Sequence, residues 1–171
     1  MIRLAAERDL PSITGIYDAI PDREEAGPAY TNWQRGKNPT KNTARRALAD
    51  HTLYVGKEGG LRGVVSLNGI RLPEYAVIPR SLPARADQVG VIHTLCIHPS
   101  CAGRGYARQM AAFCEAEARR QGKTVMRPDT WEHNTPANRM YPALGYRLAG
   151  AAEFFFMDCV HEVLNCYEKI L

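Results

Sequence analysis

Two periods of apolar and polar residues alternate along this chain, and the switches between them mark its elements. Ile2 to Ala5 reads as a short strand. Asp9 then stands as the cap of a helix with Pro11 in its first turn and Ile13, Ile16, Tyr17 and Ile20 at helical spacing, which Pro21 would end. Residues 21–39 are rich in Pro, Gly and charge and predict an irregular loop anchored by Tyr30 and Trp33; loops of this length often carry function. Thr40 to Asp50 predicts a second short helix, and "HTLYVGKEGGLRGVVSLNG" predicts two strands around a Gly59-Gly60 turn. Three prolines, Pro73, Pro79 and Pro83, argue against continuous secondary structure over residues 70–88. The strongest strand pattern follows, "VGVIHTLCIH" from Val89. Beyond it, Ala107, Met110, Ala111, Cys114 and Ala118 mark one apolar helix face, with Gly122 as the C-terminal cap. Residues 124–129 return to strand, Asn134 to Leu144 to a short helix ending at Gly145, and residues 146–149 and 164–170 to two closing strands. No repeat, low-complexity tract or linker divides the pattern, so a single domain over residues 1–171 is expected.

Composition narrows the functional classes. A chain of 171 residues with 45% hydrophobic and 23% charged residues can bury a core without disulfides or metals. Lys and Arg number 22 against 18 Asp and Glu, a small and dispersed excess. It lacks the clustered basic stripe of a nucleic-acid binder and suits a mildly anionic ligand. The five cysteines, Cys96, Cys101, Cys114, Cys159 and Cys166, are odd in number and show neither CxxC nor Cys/His ligand spacing. Neither a disulfide framework nor a metal site is expected. Arg3, Glu7, Arg8 and Asp9 deny "MIRLAAERDL" the apolar core of a signal peptide, and no run approaches membrane-spanning length. The expected setting is cytoplasmic and reducing, with no membrane partner.

Candidate chemistry concentrates at "HPSCAGRGYARQM", residues 98–110, where Gly103, Gly105 and Ala107 alternate at a strand-to-helix junction. The first turn of a helix leaves N–H groups unpaired, and the aligned peptide dipoles place roughly half a positive charge there. Glycines before such a turn let the backbone come close to a phosphate. A tight strand-to-helix turn explains the same glycines, and on this stretch alone both readings stand. GxxxxGK[ST] is absent, and a dinucleotide GxGxxG would need Gly or Ala where Arg108 stands.

The junction resembles the acyl-CoA motif of the GCN5-related N-acetyltransferases, a strand ending in Pro shortly before Gln/Arg-Gly-x-Gly-x-Gly/Ala. "LCIHPSCAGRGYA", Leu95 to Ala107, departs from it only at Ala102. A second motif of that family, Asn-x-x-Ala-x-x-x-Tyr-x-x-x-Gly-Phe/Tyr, is matched by "NTPANRMYPALGY" through Asn134, Ala137, Tyr141, Gly145 and Tyr146, with Asp129 and Thr130 on the strand between the two. The resemblance covers nearly the whole chain and is strongest over residues 89–146. It implies an α/β (α+β) fold with a mixed, mostly antiparallel central sheet, splayed fourth and fifth strands, and helices on both faces. It also implies acetyl-CoA as cosubstrate, the pantetheine running along the main chain of Leu95, Cys96 and Ile97. The pyrophosphate would lie on the backbone of Gly103, Arg104, Gly105, Tyr106 and Ala107, with Arg108 and Asn134 as further cofactor contacts. Asn134 reads equally as a helix cap. Pro128 becomes intelligible beside a splayed gap, where a missing ladder donor costs little.

The implied reaction is attack of an uncharged amine on a thioester, which needs a proton taken from the amine and one given to the departing sulfur. Tyr141 is the candidate acid, since a phenol with a pKa of about 10 stays protonated at neutral pH. A packing role is its alternative, and Pro142 disturbs the helix around it. His93 is the first choice of base: strand alternation places it on the same sheet face as Leu95, and imidazole ordinarily titrates at about 6.5. Glu74 and Tyr75 are alternatives. His98 reads as a strand-end residue and Phe154 to Phe156 as packing. A lysine-like amine is only about 0.1% neutral at pH 7.4, an α-amino group roughly 30%, so a modest base favours an acceptor of lowered amine pKa. The expected function is acetyl-CoA-dependent N-acetyl transfer to a small-molecule primary amine. A protein N-terminus or lysine is the second acceptor class, and a non-catalytic CoA-binding module, kept open by Ala102 and Pro142, is the alternative. Nucleic acid is not expected as a partner; a homodimer through edge strands follows only from analogy with the family.

Overall fold

The helical spacing of Leu10, Ile13, Ile16, Tyr17 and Ile20 folds as α1 (Leu10–Glu25), which buries all five side chains. The computed structural model describes residues 1–80, 82–156 and 160–171, so Cys159 lies outside the described residues. Contacts group the chain into two compact units. Met1–Ala29, Trp33–Leu67 and His93–Cys114 form the first; Tyr30–Asn32, Asn68–Ile92 and Glu115–Leu171 form the second.

Two expectations about α1 are corrected. Pro21 lies within the helix rather than ending it. Near a C-terminus a proline forfeits only its own bond to the carbonyl four residues back, and the buried Pro21 ring recovers part of that cost. Asp9 occupies the N-cap position, but its carboxylate makes no cap bond to α1. It turns back instead, accepting the Ala6 N–H at 2.8 Å and pairing with both Nη1 and Nη2 of Arg3 at 2.7 and 2.9 Å. The Arg3 guanidinium holds the Asp9 carboxyl at about 2, below its ordinary 3.8. A depressed carboxyl stabilises the fold above its unfolded pKa, and that contribution is lost as pH falls through the folded value. Asp9→Asn is therefore expected to cost about 2 kcal/mol at pH 7. In denaturant titrations the gap to wild type should close between pH 4 and pH 2.

In the first unit β1 (Ile2–Leu4) pairs antiparallel with β2 (Leu53–Lys57), and β2 with β3 (Leu61–Asn68) around the foreseen Gly59-Gly60 turn. The C-terminal half of β4 (Val89–Ile97) belongs to this unit. Strand alternation separates two faces. Leu53, Val55, Val64 and Cys96 pack on α1 and on Ala44 of α2 (Lys41–Ala49). The other face meets α3 (Tyr106–Arg120): the rings of Tyr54 and Phe113 lie edge to face at 5.1 Å, and Met110 packs over Gly56 and Gly63. A Cβ at Gly63 would sit 2.7 Å from Met110 Sδ and 2.9 Å from the Cys96 carbonyl oxygen, so α3 approaches the strands because that position has no side chain.

The second unit is built on β8 (Val160–Ile170). One edge of β8 pairs with β7 (Arg147–Phe156), the other with β5 (Val125–Met126) and β6 (Asp129–Trp131) in a single register. β5 runs parallel to β4 at Val89↔Val125 and Gly90↔Met126, and Arg127 N–H adds a bond to the Gly90 carbonyl at 2.8 Å. β1–β2, β2–β3, β5–β8, β6–β8 and β7–β8 run antiparallel, so the mixed, mostly antiparallel sheet expected from the sequence is present, with eight strands among the described residues. Pro128 interrupts the β5–β6 line, but not for the expected reason. Its carbonyl accepts the Tyr167 N–H at 2.9 Å, so Pro128 faces β8 rather than a gap. The Tyr167 carbonyl that it cannot serve accepts Arg80 Nη1 at 3.1 Å instead. One face of this sheet carries α4 (Thr135–Ala143). The other packs against the proline-rich connection, whose Leu72, Tyr75 and Ile78 join Ala152, Phe154, Leu164 and Cys166 in one apolar cluster. The connection forms short 3-10 turns at Pro73–Val77 and Ala86–Gln88, in keeping with the prolines that argued against continuous secondary structure there. Among the described residues no helix is long and apolar enough to cross a membrane.

Candidate functional site

Gly105 precedes α3, and its carbonyl accepts the Gln109 N–H at 3.1 Å. The N–H groups of Tyr106, Ala107 and Arg108 therefore have no carbonyl inside the helix to bond. Gly103 and Gly105 hold φ of 76° and 80°, a left-handed backbone that L side chains rarely adopt, and a Cβ at either would meet nothing within 4 Å. The glycines are thus required by the turn's conformation, and no described atom fills the space beside them. Arg104 and Arg108 are exposed beside it. This donor set, on a turn no side chain fills, fits a pyrophosphate. The strand leads into it through a 3-10 turn, Pro99–Cys101, which His98 caps by accepting the Ser100 N–H on Nδ1 at 3.2 Å. That is the strand-end role expected of His98.

His93, Leu95, Cys96, Ile97 and residues 103–108 all belong to the first unit. Cys96 is buried among Leu10, Ile13 and Tyr17, and burial pushes its thiol well above the ordinary range. The Ile97 side chain lies over Gly63. Thr94 carries φ 51°, which breaks the extended alternation between His93 and Leu95. His93 and Leu95 are therefore not held to one face by alternation, which requires an unbroken extended backbone.

Asn134, Asn138 and Tyr141 belong to the second unit. Asn134 Oδ1 accepts the Ala137 N–H at 3.2 Å, with Pro136 in the first turn, so Asn134 caps α4. Pro142 falls in the last turn, after Tyr141, where Leu144 and Gly145 close the helix on the carbonyls of Met140, Tyr141 and Pro142. Tyr141 is 3% exposed, its ring 5.4 Å from both Tyr146 and Tyr167. Asn138 locks the helix in place: its Oδ1 accepts from Tyr167 Oη at 2.7 Å and Asn165 Nδ2 at 2.9 Å, and its Nδ2 lies within 3.0 Å of the Trp131, Glu132 and Asn134 carbonyls. Sequence reasoning passed over Asn138 although it stands one turn after Asn134.

On the opposite face of the same sheet the Tyr75 hydroxyl donates to Asp129, its ring edge-on to Phe154 at 5.0 Å and under the Arg80 guanidinium at 5.9 Å. Burial, and then the Asp129 charge, push the Tyr75 phenol far up, which leaves it a donor rather than a base. Burial also raises Glu162 and lifts the Cys166 thiol to about 12. One carboxylate oxygen of Glu74 is buried without a hydrogen-bond partner among the described residues. Phe154 is buried as expected of a packing residue, while Phe155 is 62% exposed.

Residues 16–146 match the model of the acetyltransferase (GNAT) family. The chain belongs to that family and is an acyltransferase using acetyl-CoA. No curated protein matches it in sequence. Among solved structures it resembles a GNAT-family acetyltransferase from Streptococcus agalactiae (22% identity, 100% of this chain and 95% of that one, TM-score 0.76). It is also similar to a Salmonella typhimurium protein, yncA, described as an acetyltransferase and solved with its cofactor acetyl-CoA (20%, 100% and 93%, 0.71). A third is the ribosomal-protein-alanine N-acetyltransferase of Brucella melitensis (18%, 100% and 99%, 0.72).

Proposed function

We propose that this protein transfers the acetyl group of acetyl-CoA to a primary amine on a small molecule. The observation that carries the reading is the open glycine turn at residues 103–105, its backbone donors presented at the start of α3. When bound, the thioester supplies an activated acyl group. The backbone of residues 103–107 holds the pyrophosphate, and the main chain of Leu95 to Ile97 guides the pantetheine. Tyr141, held between Tyr146 and Tyr167, gives its phenolic proton to the departing sulfur. His93 takes the proton from the amine nitrogen. If so, the rise of kcat/KM with pH contains one limb that disappears in His93→Ala while CoA affinity is unchanged. A profile identical in both proteins assigns the base to Glu74 or to water.

The function itself is tested by release of CoA thiol from acetyl-CoA with a panel of amines: amino acids, amino sugars, polyamines and a peptide with a free N-terminus. Turnover with a small amine is expected. Turnover with the peptide alone moves the acceptor to protein, and CoA binding without turnover on any amine makes the protein a binding module.

A further inference from the structure

The acyl-CoA turn of the family carries Gln or Arg directly before its first glycine, and this chain has Ala102 there. Another cation stands beside the 3-10 turn that leads into it. Arg62, the second residue of β3, places Nη1 3.5 Å from the sulfur of Cys101, the neighbour of Ala102. Two bonds fix the arginine: its Nε donates to the Glu58 carbonyl at 2.7 Å, and its own carbonyl accepts the His98 N–H at 2.8 Å. The rest of the guanidinium fork makes no other hydrogen bond among the described residues. It borders a cavity of about 280 Å³ lined also by Glu58, Tyr106 and Gln109, the last two on the opening turn of α3. The thiol of Cys101 registers the local field, held below its usual range by the Ser100 hydroxyl and then by Arg62. One opposing charge stands nearby, Glu58, whose carboxylate accepts the Tyr106 hydroxyl.

We propose that Arg62 is a ligand of the CoA pyrophosphate and replaces in space the side chain that Ala102 lacks in sequence. The inference rests on the reading of residues 103–107 as the pyrophosphate turn. A guanidinium suits the role because its fork matches two phosphate oxygens at once. Its Nε is already tied to a backbone carbonyl, so little freedom remains to be lost on binding. The motif's departure at Ala102 then does not weaken the reading of residues 103–107 as a CoA site.

Calorimetry with CoA tests this without any acceptor. In low salt Arg62→Gln should raise the Kd for CoA by about 10- to 100-fold, the loss expected for a hydrogen bond to a charged group. The gap to wild type should narrow in 1 M KCl, which screens the lost charge. Adding Ala102→Arg to Arg62→Gln should recover affinity, and thermal unfolding verifies that each variant is folded. An unchanged Kd overturns the proposal. So does a loss of equal size at both salt concentrations that Ala102→Arg fails to repair, because that is damage to the turn and not a missing charge. Gly105→Val, measured alongside, separates the two levels. If it weakens CoA binding and Arg62→Gln does not, only the role of Arg62 falls; if neither weakens it, the reading of the turn falls as well.

Discussion

Tyr141→Phe is expected to lower kcat by about 10- to 1000-fold and leave the Kd for CoA within about twofold of wild type. The substitution keeps the ring that packs between Tyr146 and Tyr167 and removes only the hydroxyl. A packing residue would lose little by it, whereas a proton donor loses its function. The neighbouring Asn138, whose side chain ties α4 to β6 and β8, keeps the ring in place in the variant. Steady-state kinetics with any acceptor from the amine panel, beside CoA calorimetry, gives both numbers. A normal kcat returns Tyr141 to a packing role.

Gly105→Val should weaken CoA binding by two orders of magnitude or more while the protein still folds. Two costs add. A β-branched residue at φ 80° is strained by roughly 1–2 kcal/mol. Its side chain also fills the space in front of the first N–H groups of α3, which is empty now. Gly105→Ala separates them, since it carries most of the strain and little of the bulk. Its loss of CoA affinity should therefore be clearly the smaller. Equal affinity in folded wild-type and Gly105→Val proteins removes the pyrophosphate turn.

Elements with a long, clean period were legible in the sequence. The apolar faces of α1 and α3 and the run of β4 were legible because each buries the stripe that its period displays, although α1 continues past Pro21 to Glu25. The closing strands were not. β7 spans Arg147–Phe156 where only residues 146–149 read as strand, since Gly150, Ala151 and Ala152 carry no strand pattern and are held extended by pairing with β8 across a register shift. Local conformation defeated two readings. Thr94, at φ 51°, breaks the alternation that tied His93 to Leu95, and no feature of its residue type announces that. Asp9 looks like a helix cap until Arg3 draws its carboxylate away. The glycine turn was legible because its chemistry lies in consecutive backbone groups. Arg62 was not: it stands about forty residues before the turn, and only the folding of β3 beside the end of β4 brings it there.

The bond from Arg80 to the Tyr167 carbonyl makes two distant positions interdependent. With Pro128 opposite, Arg80 supplies the donor that a proline cannot, so deleting the arginine strands a carbonyl. With any other residue at 128, a backbone N–H would compete for that carbonyl and the same deletion would matter little. The worth of Arg80 is therefore a property of the pair, and substitutions at 80 and 128 will not add. A homologue with an ordinary residue at 128 is free to spend its arginine elsewhere, so the proline-rich connection and the interrupted strand should drift together in sequence.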